Sequence, residues 1–206
     1  MIKILSVCGS PVPGSSTEIL LRRIASSVAA NLKDRGRHEF VRLSELDITP
    51  CQACGEAPTP QYCFIDDAMT RLYQRIIGCD CLLLGTPIYF DSVSAQTKLF
   101  IDRCNCLRPA NFTGSPEHGH FIRLIGRQRP GAMVLVGGQR AWFEGARRCV
   151  AGFFKWIEVT NEGCLKYCSV DDTRLGEAAN RSDVLREADE LGRRLARVVR
   201  EQHGRR

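Results

Sequence analysis

The chain has 206 residues and a net charge of +6, from 29 Lys plus Arg against 23 Asp plus Glu. Its length suits a single domain, and 44% hydrophobic with 25% charged residues excludes low-complexity, collagen-like and broadly disordered classes. No apolar run approaches the roughly 20 residues that span a bilayer, and the positive charge is neither gathered on one face nor joined to a base-reading element, so neither a membrane segment nor nucleic-acid binding is expected.

Residues 2–8, IKILSVC, are apolar and β-branched almost throughout, as in a strand buried on both faces. A loop dense in turn formers, GSPVPGSST, occupies residues 9–17, after which Ile19, Leu20, Ile24, Val28 and Leu32 recur at helical spacing over residues 18–32. A second strand is predicted at residues 39–43, then a proline- and cysteine-rich connection at 50–65. Asp66 or Asp67 caps a helix through Met69, Leu72, Ile76 and Ile77 that stops at Gly78. Residues 81–86, CLLLGT, make a third buried strand, and Ser92 or Ser94 caps a helix holding Leu99 and Ile101. Residues 107–130 are rich in Gly, Pro and Asn and read as a flap. A fourth strand follows at 131–136, with a helix over 142–156 that sets Phe143, Ala146, Val150 and Phe153 on one side. A fifth strand within 159–168 precedes a final helix over 183–200.

This alternation predicts an α/β three-layer sandwich spanning residues 1–206 as one domain. Its core is a five-stranded parallel sheet of flavodoxin-like order 2-1-3-4-5 with helices on both faces. Ligands of such sheets bind outside the carboxyl ends of the strands at the switch point between strands one and three. The loops there are 9–17 and 87–94. The first offers the hydroxyls of Ser10, Ser15, Ser16 and Thr17 together with helix N-terminal amides, which suits a phosphate. Gly9 and Gly14 have P-loop spacing, but Ser15 stands where that motif needs lysine, and no GxGxxG follows the first strand, so a terminal monophosphate is the better match. The same residues also suffice for a plain turn and helix cap.

Pro87, Ile88, Tyr89 and Phe90, with Ser92 just beyond, place a rigid apolar and aromatic turn beside that loop, a surface on which a flat ring stacks. Gly137, Gly138 and Gln139 follow the fourth strand, where missing side chains let amides approach ring heteroatoms, and Trp142 closes the edge. Phe143, Phe153, Phe154 and Trp156 read as packing residues.

GSPVPGSST, the segment DDAMTRLYQRIIGCDCLLLGTPIYFDSVSAQTKLFIDR and the GG after the fourth strand resemble the flavodoxin-like NAD(P)H-dependent FMN reductases, nearest the iron-sulfur flavoprotein branch. The similarity covers residues 1–145. It implies that Ser10, Ser15, Ser16 and Thr17 hold the FMN phosphate, that Pro87, Ile88, Tyr89 and Phe90 line the isoalloxazine, and that Gly137 and Gly138 meet its polar edge. It further implies NADH or NADPH as donor, a quinone, flavin, nitro or azo compound as small-molecule acceptor, and a homodimer or homotetramer whose neighbouring subunits wall the flavin. An electron carrier that holds FMN without oxidising nicotinamide is the alternative, and a scaffold without cofactor is a third. No catalytic side chain is assigned, because the cofactor carries the chemistry. Where many such relatives have a basic residue in the first loop, this chain has Val12 and Pro13.

Eleven cysteines, an odd number without an export signal, point to reduced thiols in the cytoplasm. Cys51, Cys54 and Cys63 form a CxxC pair and a third thiol; the iron-sulfur branch has CxxCxxC and a fourth, and here Ala57 replaces the third. A four-iron cluster needs four thiolates, so Cys104 or Cys106 would have to fold over; zinc needs a fourth ligand from Cys, His118 or His120. No metal site is therefore predicted, and the thiols read as packing groups. Asp102 and Arg103 read as a structural or interface ion pair at a helix end.

Overall fold

Strands without a polar side must be covered on both faces, and here they are. The computed structural model describes residues 1–53, 63–107, 125–171 and 174–204; Cys54, Ala57, His118, His120 and most of the 107–130 stretch lie outside them. The strands are β1 (Ile2–Cys8), β2 (Gly36–Arg42), β3 (Cys81–Tyr89), β4 (Ser92–Val93), β5 (Arg129–Gly137) and β6 (Val159–Cys168). The helices are α1 (Ser16–Leu32), α2 (Ala68–Gly78), α3 (Ala95–Arg103), α4 (Glu144–Trp156) and α5 (Ser182–Gly204). Five strands pair in parallel as β2-β1-β3-β5-β6, the flavodoxin-like order read from the sequence. Among the described residues no helix is long and apolar enough to cross a membrane.

The period-two alternation of each strand divides the core. Leu5, Val7, Leu82, Leu84 and Met133 pack with Leu72, Ile76, Phe100 and Phe153 under α2, α3 and α4. Ile4, Leu83, Val134 and Leu165 pack with Leu20, Ile24, Leu191 and Leu195 under α1 and α5. Each such Leu or Ile contributes roughly 1.5–3 kcal/mol on burial.

The expected count of five strands needs one correction. β3 runs past Thr86 through Pro87 to Tyr89, and β4 turns back on it antiparallel, with Ile88 opposite Val93 and Tyr89 opposite Ser92. The two turn residues, Phe90 and Asp91, take φ of +51° and +59°, the left-handed pair that a two-residue hairpin of this hand requires. Neither is glycine or asparagine. The turn is held from outside, as the Asp91 carboxylate accepts the N–H of Gly145 at 3.3 Å.

The caps are resolved. Asp67 begins α2, accepting the Met69 amide at 2.9 Å while Thr70 closes a capping box, and Ser94 begins α3 by accepting the Thr97 amide at 3.2 Å. Asp102 and Arg103 do not pair with each other. Asp102 pairs with Lys98 on the surface, whereas the buried Arg103 turns inward to Asp67, donates to the carbonyl of Thr49 at 2.6 Å and reaches the Cys63 sulfur at 3.8 Å. One guanidinium thus grips the chain on either side of the cysteine loop. A second buried guanidinium, Arg129, donates to the carbonyl of Ile76 at the end of α2 and to that of Ile157 (2.7 Å), the residue that ends α4.

Candidate functional site

Parallel pairing brings the carboxyl ends of β1, β3, β5 and β6 to one rim, where a cleft of about 220 Å³ opens. Ser10, Ser15, Ser16, Thr17, Pro87, Ile88, Tyr89, Gly137 and Gly138 line it. Phe90, Ser92 and Gln139 do not. Phe90 stands wholly in solvent at the hairpin tip, Ser92 lies on β4, and the Gln139 amide donates to the Val170 carbonyl. Trp142 projects into solvent at 77% exposure instead of closing the edge.

The first loop gains its shape from its neighbours. The Gly9 N–H donates to the Gly85 carbonyl and the Ser94 hydroxyl to the Gly9 carbonyl, each at 2.7 Å, tying the end of β1 to the middle of β3 and to the cap of α3. A Cβ on Gly9 would lie 1.7 Å from Thr97 Oγ1, so only glycine passes α3 this closely. Ser15 caps α1, accepting the Glu18 amide, and the first intrahelical bond runs from Ile19 to Ser15, so the amides of Ser16 and Thr17 precede the helical ladder. The Ser16 hydroxyl accepts the Ala178 amide, which leaves its own proton to donate. Hydroxyls and unladdered amides at a helix N-terminus are the donor set a phosphate takes.

The acid beneath this loop is already neutralised. Burial raises the pKa of Glu18, but Arg42 at 2.8 Å, Arg22 at 2.7 Å and the Gly14 amide outweigh it and hold the carboxyl at about 2. At the end of β1 burial pushes the Cys8 thiol up to about 11, so it is a neutral packing group and not a nucleophile.

The last loop was not singled out in the sequence, yet Ser169, Arg174, Leu175 and Gly176 form one wall. Gly176 has φ +68°, and a Cβ on it would sit 2.6 Å from the Gly14 carbonyl oxygen, so glycine is what lets this wall close on the first loop. Glu177 holds the wall together by accepting from the Ser169 hydroxyl (2.7 Å), the Tyr167 hydroxyl (2.8 Å) and the Val170 amide (2.9 Å). Arg174 carries the charge among the lining side chains, opposite the loop whose own positions are Val12 and Pro13. The signal for this wall was the sheet rule itself: a fifth parallel strand must end at the same rim.

The family model for NADPH-dependent FMN reductase matches residues 2–161. The chain belongs to that family. Among relatives of this FMN reductase family member, an iron-sulfur flavoprotein of Methanosarcina thermophila is 28% identical over 159 residues, covering 77% of this chain and 74% of that one. Another from Methanocaldococcus jannaschii is 31% identical over 139 residues, covering 68% of this chain and 64% of its own length. Among solved structures, an NADH:FMN oxidoreductase superposes with a TM-score of 0.63 at 15% identity, over 95% of this chain and 89% of that one. RosB, solved with 8-demethyl-8-formylriboflavin-5′-phosphate, does so at 0.68 and 15% identity, over 98% and 81%. At such identities these structures show the shared fold alone.

Among the described residues the cysteines are not gathered into a four-thiolate set. Cys51 is exposed, Cys63 is half-buried against Arg103, and Cys104 is fully buried, with burial raising its thiol well above the usual range. Among the described residues no group of three or more His, Cys, Asp or Glu side chains stands where it can hold a metal ion. Cys54 lies outside those residues.

Proposed function

We propose that the chain binds FMN in the rim cleft and passes electrons from NADH or NADPH to a small acceptor, of the quinone, flavin, nitro or azo class. One observation carries this reading: in a member of the FMN reductase family, the hydroxyl loop of α1 and the apolar end of β3 face the same cleft. Ser10, Ser15, Ser16 and Thr17 would hold the phosphate with the first amides of α1, and Arg174 would add charge from the opposite wall. Pro87, Ile88 and Tyr89 would support one side of the ring. The Gly137 carbonyl is taken by the Ser169 amide (2.8 Å) and the Gly138 carbonyl by the Ala141 amide (2.9 Å). That leaves the Gly138 N–H, which has no partner among the described residues, to meet the ring's polar edge. Bound FMN supplies the hydride and electron chemistry, and the protein binds, orients and limits water access.

Tyr89 and Leu175 of the cleft, with Phe90 and Trp142, are 48–105% exposed, large apolar side chains of the kind a homodimer or homotetramer closing over the cleft would cover. All ten cysteines among the described residues are free thiols, in keeping with a reducing cytoplasm.

The test is FMN titration by fluorescence quenching, followed by steady-state oxidation of NADH and NADPH. Tight FMN binding with turnover supports the enzyme. FMN binding without nicotinamide consumption leaves the electron carrier, which the similarity to iron-sulfur flavoproteins favours. Protein that takes up no FMN defeats both.

A further inference from the structure

A cleft larger than the one at the rim lies at the outer edge of the sheet. β2 is the outer strand of the sheet, and its register with β1 sets Lys3 beside Arg37 and Leu5 beside Glu39 on one face. Leu5 packs with Leu72 and Ile76 of α2, which fixes that face as the one α2 covers. Between α2 and these strands lies a trough of about 450 Å³. Its walls carry Lys3 and Arg37 from the sheet and Arg71 and Arg75 from α2, against Glu39 as the acid.

Glu39 is paired with Arg75, and the nearby Asp80 is taken by the Lys3 amide, Arg127 and His203. The side chains of Lys3, Arg37 and Arg71 have no hydrogen-bond or ionic partner among the described residues. Three solvent-exposed cations line one concavity with no carboxylate partner among the described residues, and an anion with more than one charge draws on all three. The volume lies in the range of small-molecule sites, where a flat protein partner would find no seat. Arginine forks and a lysine ammonium together are the donor set for phosphate oxygens.

We propose that this trough binds a small oligophosphate, free or carried on a nucleoside, as a site separate from the rim cleft. Lys3 precedes Gly9 by six residues of β1, which at about 3.3 Å each puts the two sites about 20 Å apart. A ligand here therefore does not reach the reacting ring and acts by occupancy alone.

The experiment titrates pyrophosphate and, separately, ADP into the full chain held in excess FMN, by calorimetry at low salt. Both are expected to bind, and the double variant Arg37→Glu with Arg71→Glu weakens binding by about tenfold or more, with FMN retention and thermal midpoint unchanged. Lys3→Gln, a milder change, weakens it less. Tighter binding of ADP than of pyrophosphate assigns a nucleoside ligand, and equal binding assigns the phosphates alone. Absence of heat with both ligands at millimolar concentration overturns the proposal, as does binding that the double variant leaves intact. Because that variant reports on this trough directly, the outcome is independent of whether FMN occupies the rim.

Discussion

The Ser16 hydroxyl accepts the amide N–H of Ala178 at 3.2 Å, across 162 residues of sequence. This bond joins the first rim loop to the last, and it leaves the hydroxyl proton available for donation to a ligand. Ser16→Ala therefore costs in two places. Loss of the buried bond lowers stability by about 1 kcal/mol in urea denaturation, and FMN retention falls as well. Gly176→Ala, which drives a methyl against the Gly14 carbonyl at a left-handed φ, costs roughly 2 kcal/mol and releases FMN more readily still.

Arg174 supplies from the last loop the positive charge that Val12 and Pro13 do not. An exposed cation contributes up to about 1 kcal/mol to an ionic contact, or about fivefold in affinity. Arg174→Gln is expected to weaken FMN by about that factor while leaving riboflavin, which has no phosphate, unaffected. Equal loss for both ligands in parallel fluorescence titrations contradicts the assignment.

Phe90 is held at φ +51° with its ring entirely in solvent. No packing is lost on removing the ring, and asparagine tolerates the left-handed region far better. Phe90→Asn should raise stability by about 1 kcal/mol, which urea denaturation measures.

The Ser169 hydroxyl, against a smaller opposing effect of burial and with help from the Tyr167 hydroxyl and the Val170 and Asp171 amides, lowers the Glu177 carboxyl from 4.5 to about 2. A carboxyl whose pKa is lower when folded stabilises above its unfolded pKa and loses that contribution as pH falls through the folded one. The difference in denaturation midpoint between the wild type and Glu177→Gln should be full above about pH 5 and vanish toward pH 2. A pH-independent difference removes Glu177 as the clasp.

The three central strands were legible because uninterrupted apolar runs have few other uses, and β6 fell within residues 159–168 as expected. The continuation of β3 was hidden by Pro87, which reads as a stop, and the hairpin by Phe90 and Asp91, which carry none of the Asn-Gly chemistry that marks such turns. Nine of the predicted rim residues share a cleft because loop composition and the switch-point rule agree there. The wall of Ser169, Arg174, Leu175 and Gly176 is not legible in the sequence because Gly176 matters through its contact with Gly14, a long-range closeness that spacing does not encode.

Arg129 holds the tails of two helices with one guanidinium, and this makes α2 and α4 a cooperative pair. Neither tail can fray without stripping an acceptor from a guanidinium that is fully buried, which loosens its grip on the other. In native-state amide exchange the last turns of both helices should therefore open together, although strands β3 and β5 separate their sequences.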